Sequence, residues 1–486
     1  LPITEDGDPS TQANSGSVTE YTTNSYLGRL VYSYDDRFLF TGNFRADGSS
    51  VFASQNRWGY FPGVSAGWVL TKEGFMQGQN VFQFLKLKAS YGELGNSNVA
   101  SDASVATALT GYTPYFFNSG NTASGYAAGA IIPQTKDLNV KWEVTKETDL
   151  GFEYSILKGR LAGDFDVYDK KVSNALIYVQ VPGTFGSQAN PLSAINEGDV
   201  LTNAAVIDNK GLEFSARWHD NIGNKISYFI GGNVSFNRNR VVSLNGGVPI
   251  FDGNINGYFT TETKAGYPIG AFFMRKVIGI FQNQTQIDNY KDKNGNLLQP
   301  NANPGDFIYG YTANGVLDTA FLGSYSPKAY IGVSGGLSYK SFDLSVDLYG
   351  NIGNQVYNGK LQARVVYTDN IEKSVATSYW TPTNHSNTQP SANGGNLPAS
   401  SYFLSSGTFA RINNITIGYN MPAGLLRRQN VITSFRVFVN AQNPITLKKY
   451  GGFSSELPGS SPTNAGIELN TYPTTRTFAA GVNIGI

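Results

Sequence analysis

In Phe342-Asp-Leu-Ser-Val-Asp-Leu-Tyr349, residues Phe342, Leu344, Val346 and Leu348 fall on one side of an extended chain, and Asp343, Ser345, Asp347 and Tyr349 fall on the other. Such period-two alternation is the mark of a strand with one apolar and one polar face. It recurs along the chain in segments of about 10–14 residues. Leu161, Gly163, Phe165 and Val167 oppose Ala162, Asp164, Asp166 and Tyr168; Leu212, Phe214, Ala216 and Trp218 oppose Glu213, Ser215, Arg217 and His219. The stretches Lys225 to Asn237 and Phe435 to Asn440 divide in the same way.

Alternation alone fits an antiparallel sandwich or a solenoid as well as a membrane barrel. Length separates them, because sandwich strands average about 5–6 residues and these run to about twice that, as tilted membrane strands do. The connections sort as well. Asp35-Asp36-Arg37, Lys158-Gly159-Arg160, Asp220 to Asn224 and Lys340-Ser341 are tight, whereas Glu93 to Val140, Val172 to Val206, Arg238 to Ser326 and Gly353 to Gly407 are long. Short turns at one end and long loops at the other are the outer-membrane pattern, with the long loops extracellular. Composition agrees: 55 Gly, 29 Tyr, 30 Phe and only 15% charged residues suit twisted, half-buried strands with aromatic rims. A negative mean hydropathy of −0.24 does not oppose this, since a barrel strand is apolar only at every second position.

The fold expected is therefore all-β: an antiparallel transmembrane β-barrel wall of about 13 strands, occupying residues 1–486, with long extracellular loops and an outer-membrane location. A closed bacterial barrel normally has an even number of strands, so an odd count predicts that the first strand, near Leu27, and the last, ending at Ile486, do not pair with each other. The stretch after Leu1 has no basic, apolar and cleavage-site succession of an export signal, so the reading expects further sequence ahead of it.

Several longer motifs resemble the SusC/RagA family of TonB-dependent transporters found in the Bacteroidota. They are Arg37-Phe-Leu-Phe-Thr-Gly-Asn-Phe-Arg-Ala-Asp-Gly-Ser-Ser50 with Arg57-Trp-Gly-Tyr-Phe-Pro-Gly-Val-Ser-Ala-Gly-Trp68, then Leu85-Lys-Leu-Lys-Ala-Ser-Tyr-Gly-Glu-Leu-Gly-Asn96. Lys146-Glu-Thr-Asp-Leu-Gly-Phe152, Asn209-Lys-Gly-Leu-Glu213, Gly266-Tyr-Pro-Ile-Gly270, Gly279-Ile-Phe281 and Phe409-Ala-Arg-Ile-Asn-Asn-Ile-Thr-Ile-Gly-Tyr419 add to the likeness. The chain departs from it by ending in Ile486, where such barrels usually end in an aromatic residue. The resemblance implies a full barrel of about 22 strands, with the plug domain and first strands outside this chain. It also implies import of oligosaccharides or oligopeptides, a SusD-like surface lipoprotein as partner, and energy delivered by the TonB complex through the plug.

Little in the sequence points to covalent chemistry. There is no Cys, and His219 and His385 are the two His residues, which leaves little for a metal centre. Asp292-Lys-Asn-Gly-Asn296 opens like a calcium loop, but Leu297 stands where Gly is needed and no Glu closes it. No metal, cofactor or catalytic residue is therefore assigned. A net charge of +1 with no basic run gives no reason to expect nucleic acid. Asp164, Asp166, Glu213, Arg217, Asp343 and Asp347 are expected to face the lumen, as solvated charges of a water- or plug-filled interior. Tyr112, Tyr115, Phe116, Phe117 and Tyr126, with Trp58 and Tyr60, are the candidates for contact with ligand or the surface lipoprotein, because aromatic faces stack on sugars and pack on peptide side chains. Each could instead serve loop packing or the membrane-interface girdle, Trp58 and Tyr60 in particular. A passive porin or structural barrel shares every strand above and remains the alternative function; a secreted soluble β-protein is a third.

Overall fold

A computed structural model describes residues 20–99, 109–116, 126–131, 136–180, 199–364, 373–392, 397–426, 431–469 and 471–486. Its main feature is one antiparallel sheet of 13 strands in which sequence neighbours are also spatial neighbours. The strands are β1 (Thr23–Tyr34), β2 (Phe38–Ser49), β3 (Trp58–Val69), β4 (Phe82–Asn96), β5 (Glu143–Ile156), β6 (Leu161–Gln180) and β7 (Asp199–Ile222). They continue with β8 (Ile226–Leu244), β9 (Ala329–Tyr339), β10 (Phe342–Ile352), β11 (Phe409–Asn420), β12 (Ser434–Lys448) and β13 (Thr477–Gly485). Up-and-down order follows from the tight turns. Asp35 and Asp36 (φ 52° and 49°), and Leu157 and Lys158 (φ 56° and 60°), take the left-handed backbone that matches a turn to the twist of its strands.

Register keeps the two faces in phase from strand to strand. Leu150 lies opposite Val167, Val167 opposite Leu212, Leu212 opposite Phe236 and Phe236 opposite Ala329. On the other face Arg217, Gly231, Ser334 and Asp347 form a row across β7 to β10. A slip of one residue would put carboxylates among the apolar side chains, so the pattern itself fixes the pairing. The polar face is the concave one. A hollow of about 820 Å³ on that side is lined by residues of seven consecutive strands, among them Thr41 on β2, Lys88 on β4, Asp166 on β6 and Asn237 on β8.

The convex face carries aromatic residues in two bands. Near the tight turns are Tyr34, the Phe38–Trp68 stack and the Phe342–Tyr419 pair; near the loops are the Tyr26–Trp58 and Phe44–Tyr60 stacks. Trp58 and Trp68 are ten residues apart on β3. At a rise of about 3.3 Å per residue and a tilt near 40°, they lie about 25 Å apart along the membrane normal, the height of an outer-membrane apolar band. Leu150, Ile230, Ile417 and Val439 are exposed between the bands, which fits lipid contact and not water.

Excess Gly and aromatic residues meet on the concave face. The Tyr168 ring lies against Gly211, Phe229 against Gly336 and Phe438 against Gly481, each pair directly across neighbouring strands. A Cβ at Gly211 would stand 2.1 Å from the Phe236 carbonyl oxygen as well as against the Tyr168 ring. Backbone cannot swing aside, so Gly211→Ala is expected to destabilise the folded wall by about 1–3 kcal/mol. Heat-dependent migration of the full receptor on denaturing gels, read as the unfolding temperature, checks it.

Two loops are shorter than the sequence suggests. Val172 to Val206 and Arg238 to Ser326 were expected as connections, yet β6 runs to Gln180, β7 begins at Asp199 and β8 continues to Leu244. These strands have 20, 24 and 19 residues, far beyond the roughly 9–11 that cross a bilayer. Past the membrane neither face meets lipid, so the alternation fades while the hydrogen-bonded ladder goes on. A bulge at Asn174 (φ 56°) bends β6 there. Ala175, Ile177, Ala204, Ile207 and Val241 then close over Ile250 and Ile269 from the following loop.

That loop is itself folded. Residues 245–328, 353–364, 373–392, 397–408, 449–469 and 471–476 build one assembly: a four-stranded sheet of Ile250–Asp252, Thr261–Thr263, Ala271–Arg275 and Thr319–Gly323, with two small ribbons. Phe272, Met274, Tyr357, Ala399 and Phe403 are its core. The segment after β12 is stitched on by Thr261 Oγ1 donating to the Thr463 carbonyl (2.7 Å) and by the Tyr357 N–H donating to Gly466 (2.8 Å).

Candidate functional site

The concave face holds a lattice of charges, each built by the same rule. A strand residue in polar phase meets a partner one or two strands away, and the acid finds a base or hydroxyl there. Lys88 Nζ lies 2.8 Å from Asp166 and Lys86 Nζ 2.7 Å from Glu153. Ser215 Oγ donates to Asp164 (2.5 Å) and Ser235 Oγ to Glu213 (2.9 Å). Asp343 accepts from Arg436 (2.6 Å) and from Asn420 (2.7 Å). Arg217 lies over the Phe229 ring at 3.9 Å and, with Asp347, lines a smaller hollow of about 290 Å³.

All six charged residues singled out in the sequence thus occupy the concave face. Their partners Lys88, Ser215, Ser235, Asn420 and Arg436 were not singled out. Phase alone could have put them on the same face, but which residues meet depends on register. Each of Asp164, Asp166, Glu213 and Asp343 is engaged by a base, an amide or a hydroxyl, an arrangement that solvates and orders charge.

The aromatic candidates separate. Trp58 and Tyr60 are in phase with Val64, Ala66 and Trp68 on the convex face, which is the girdle position. Tyr112, Tyr115, Phe116 and Tyr126 lie on a hairpin of Leu109–Phe116 and Tyr126–Ile131, where only the backbone is described. Phe117 lies outside the described residues.

The calcium-like turn spends its carboxylate on itself. Asp292 Oδ1 accepts the N–H groups of Asn294 (2.8 Å) and Asn296 (2.9 Å), and Oδ2 the Asn296 amide (3.2 Å). These donors, that of Asn296 first, hold the Asp292 carboxyl below the usual range. Asp306 Oδ2 likewise accepts the Asn303 N–H at 2.7 Å. Among the described residues no group of three His, Asp or Glu is placed to hold a metal ion.

Comparison with known proteins agrees with this architecture. The family model for the TonB dependent receptor-like beta-barrel matches residues 3–444. The TonB-dependent receptor SusC of Bacteroides thetaiotaomicron is 29% identical over 99% of this chain and 45% of its own length. A TonB-dependent receptor of Formosa agariphila is 26% identical over 99% of the chain and 47% of its own. The solved structure of the RagAB peptide transporter superposes with a TM-score of 0.75, at 23% identity, over 96% of this chain and 48% of that one. The chain spans about half the length of the curated relatives it matches. With an apolar convex side, a charged concave side and a family match over most of its length, the chain belongs to the TonB-dependent receptor-like β-barrel family of the outer membrane.

Proposed function

We propose that this chain is the wall and outer loops of an outer-membrane importer for oligosaccharides or oligopeptides, and that its concave face is the lumen side. The observation that carries this reading is the pair of open edges on an otherwise membrane-adapted sheet. Among the described residues β1 pairs only with β2 and β13 only with β12, as strand parity predicts. Each unpaired backbone group in hydrocarbon costs several kcal/mol, so both edges need strand partners within the membrane. In this reading an N-terminal segment of the same transporter supplies them, about nine strands of a barrel of about 22, together with a plug seated on the charged lattice. The TonB complex acts through that plug, and a SusD-like lipoprotein covers the loop side. No covalent chemistry is assigned to the chain. The hairpin aromatics Tyr112, Tyr115, Phe116, Phe117 and Tyr126 are proposed to meet ligand or lipoprotein.

A passive pore has no observation in its favour over this reading. The test is uptake by cells carrying the complete receptor, with maltohexaose and mixed hexapeptides as probes, before and after removal of TonB. Uptake of one probe class that stops without TonB is expected. Equal entry in both backgrounds would make the barrel a pore.

A further inference from the structure

Five arginines of the described chain are held by an acid: Arg37 by Glu73, Arg45 by Asp47, Arg160 by Asp220, Arg411 by Glu456 and Arg436 by Asp343. Arg275 is different. It ends the strand Ala271–Arg275 in the folded loop assembly, where its N–H donates to the Ala399 carbonyl (3.3 Å). Its guanidinium lies 5.3 Å from the Tyr309 ring centroid, and among the described residues no carboxylate comes within ion-pair distance of it. A half-buried guanidinium with five donors and no acid is a receptor for an anion.

The surroundings make it more than a stray charge. Arg275 lines a pocket of about 450 Å³ whose apolar walls include Leu298, Pro300, Phe307, Tyr309, Leu397 and Pro398. The walls are held in place before any ligand arrives. The Gln299 side chain donates to the Phe307 carbonyl (2.9 Å) and accepts the Tyr309 N–H (2.8 Å), while the Tyr290 hydroxyl donates to the Tyr309 carbonyl (2.6 Å). Burial pushes the Tyr309 phenol up to about 12, so it stays neutral. A pocket of this size is at the small end for ligand sites, roughly 300–1,000 Å³, and takes an end of an oligomer and not its length.

We infer that Arg275 and these walls form a subsite for the C-terminal carboxylate of a short peptide, with the last side chains packed on the leucines and prolines. A carboxylate matches the guanidinium fork in two parallel hydrogen bonds. A uronate would offer the same carboxylate, and its ring hydroxyls could meet only the polar part of the lining, Asn301 and Ser391, whereas the Leu298, Leu397 and Pro398 walls suit apolar side chains. Asp306 also lines the pocket; its carboxylate accepts the Asn303 N–H, and burial raises its pKa. The assignment rests on the import reading above and narrows it.

The experiment uses the complete receptor in detergent and a pool of random tripeptides, either with free carboxylates or C-terminally amidated, with trigalacturonate as the alternative anion. Retained ligand is counted by mass spectrometry. The free-acid pool is expected to be retained about ten-fold better than the amide pool. Arg275→Gln removes that preference without moving the unfolding temperature, Arg275→Lys keeps part of it, and Asp306→Asn leaves it intact or strengthens it. Equal retention of acid and amide pools, including none of either, overturns the subsite. So does a preference that survives Arg275→Gln or is lost in Asp306→Asn, or stronger retention of trigalacturonate. Energised uptake measured on the same variants separates the two readings: uptake without the carboxylate preference sinks the subsite alone, and the preference without uptake sinks the import reading alone.

Discussion

Val346→Arg is expected to destabilise the wall by about 2–4 kcal/mol, while Ser345→Arg, one residue away, costs under about 1 kcal/mol. Val346 lies mid-strand on β10 in the apolar row, opposite Gly335 on one side and Ile415 on the other. An arginine there sits near the bilayer midplane with no aqueous route for its charge. Ser345 lies opposite Gly336 and Thr416 on the concave face, where Arg217 and Arg436 are already accommodated. Denaturant unfolding of the complete receptor in lipid vesicles reads both. Equal costs would mean that the two faces do not meet different solvents.

Lys360→Met is expected to loosen the loop assembly by about 3–5 kcal/mol while leaving the membrane strands folded. Lys360 Nζ lies 3.5 Å from Glu468 Oε1, with side chains 12% and 1% exposed, and it also sits 4.2 Å over the Phe453 ring. A backbone bond joins the same two segments, the Lys360 N–H donating to the Glu468 carbonyl (2.8 Å), and within the second segment the Phe453 N–H donates to Glu468 Oε2 (2.9 Å). Removing the ammonium strands a buried carboxylate. The double change Lys360→Met with Glu468→Gln removes the charge as well and is expected to recover part of the loss. Amide exchange resolved to 353–364 and 449–469 reports it. Unchanged exchange in Lys360→Met would show that backbone bonds alone hold the segments.

These two sites also mark how far the sequence could be read. The alternation around Val346 was legible because lipid imposes a two-residue period on every crossing strand, and from that period came the strand number, the phase of each face and the placement of Asp343 and Asp347. The Lys360–Glu468 pair was not legible. Its residues are over a hundred positions apart, as are Thr261 and Thr463, and no local pattern marks which distant loop a segment joins. The long upper ends of β6, β7 and β8 were missed for a related reason. Above the membrane the ladder is kept by backbone bonds and by the small core around Ala204 and Val241, neither of which needs alternation. Trp58 and Tyr60 could be read either as loop contacts or as girdle until register put them in line with Trp68. Arg275 had no signal at all, since its lack of an acid exists only once the assembly has folded.

The central claim is that one face of this sheet meets lipid and the other the lumen. Spin labels placed singly at Asp343, Leu344, Ser345, Val346 and Asp347 of the complete receptor in bilayers test it directly, by relaxation from oxygen in the lipid and from a nickel chelate in the water. The expected result is oxygen accessibility at Leu344 and Val346 alternating with nickel accessibility at Asp343, Ser345 and Asp347. Lipid contact at Asp343 together with water contact at Leu344 would contradict it.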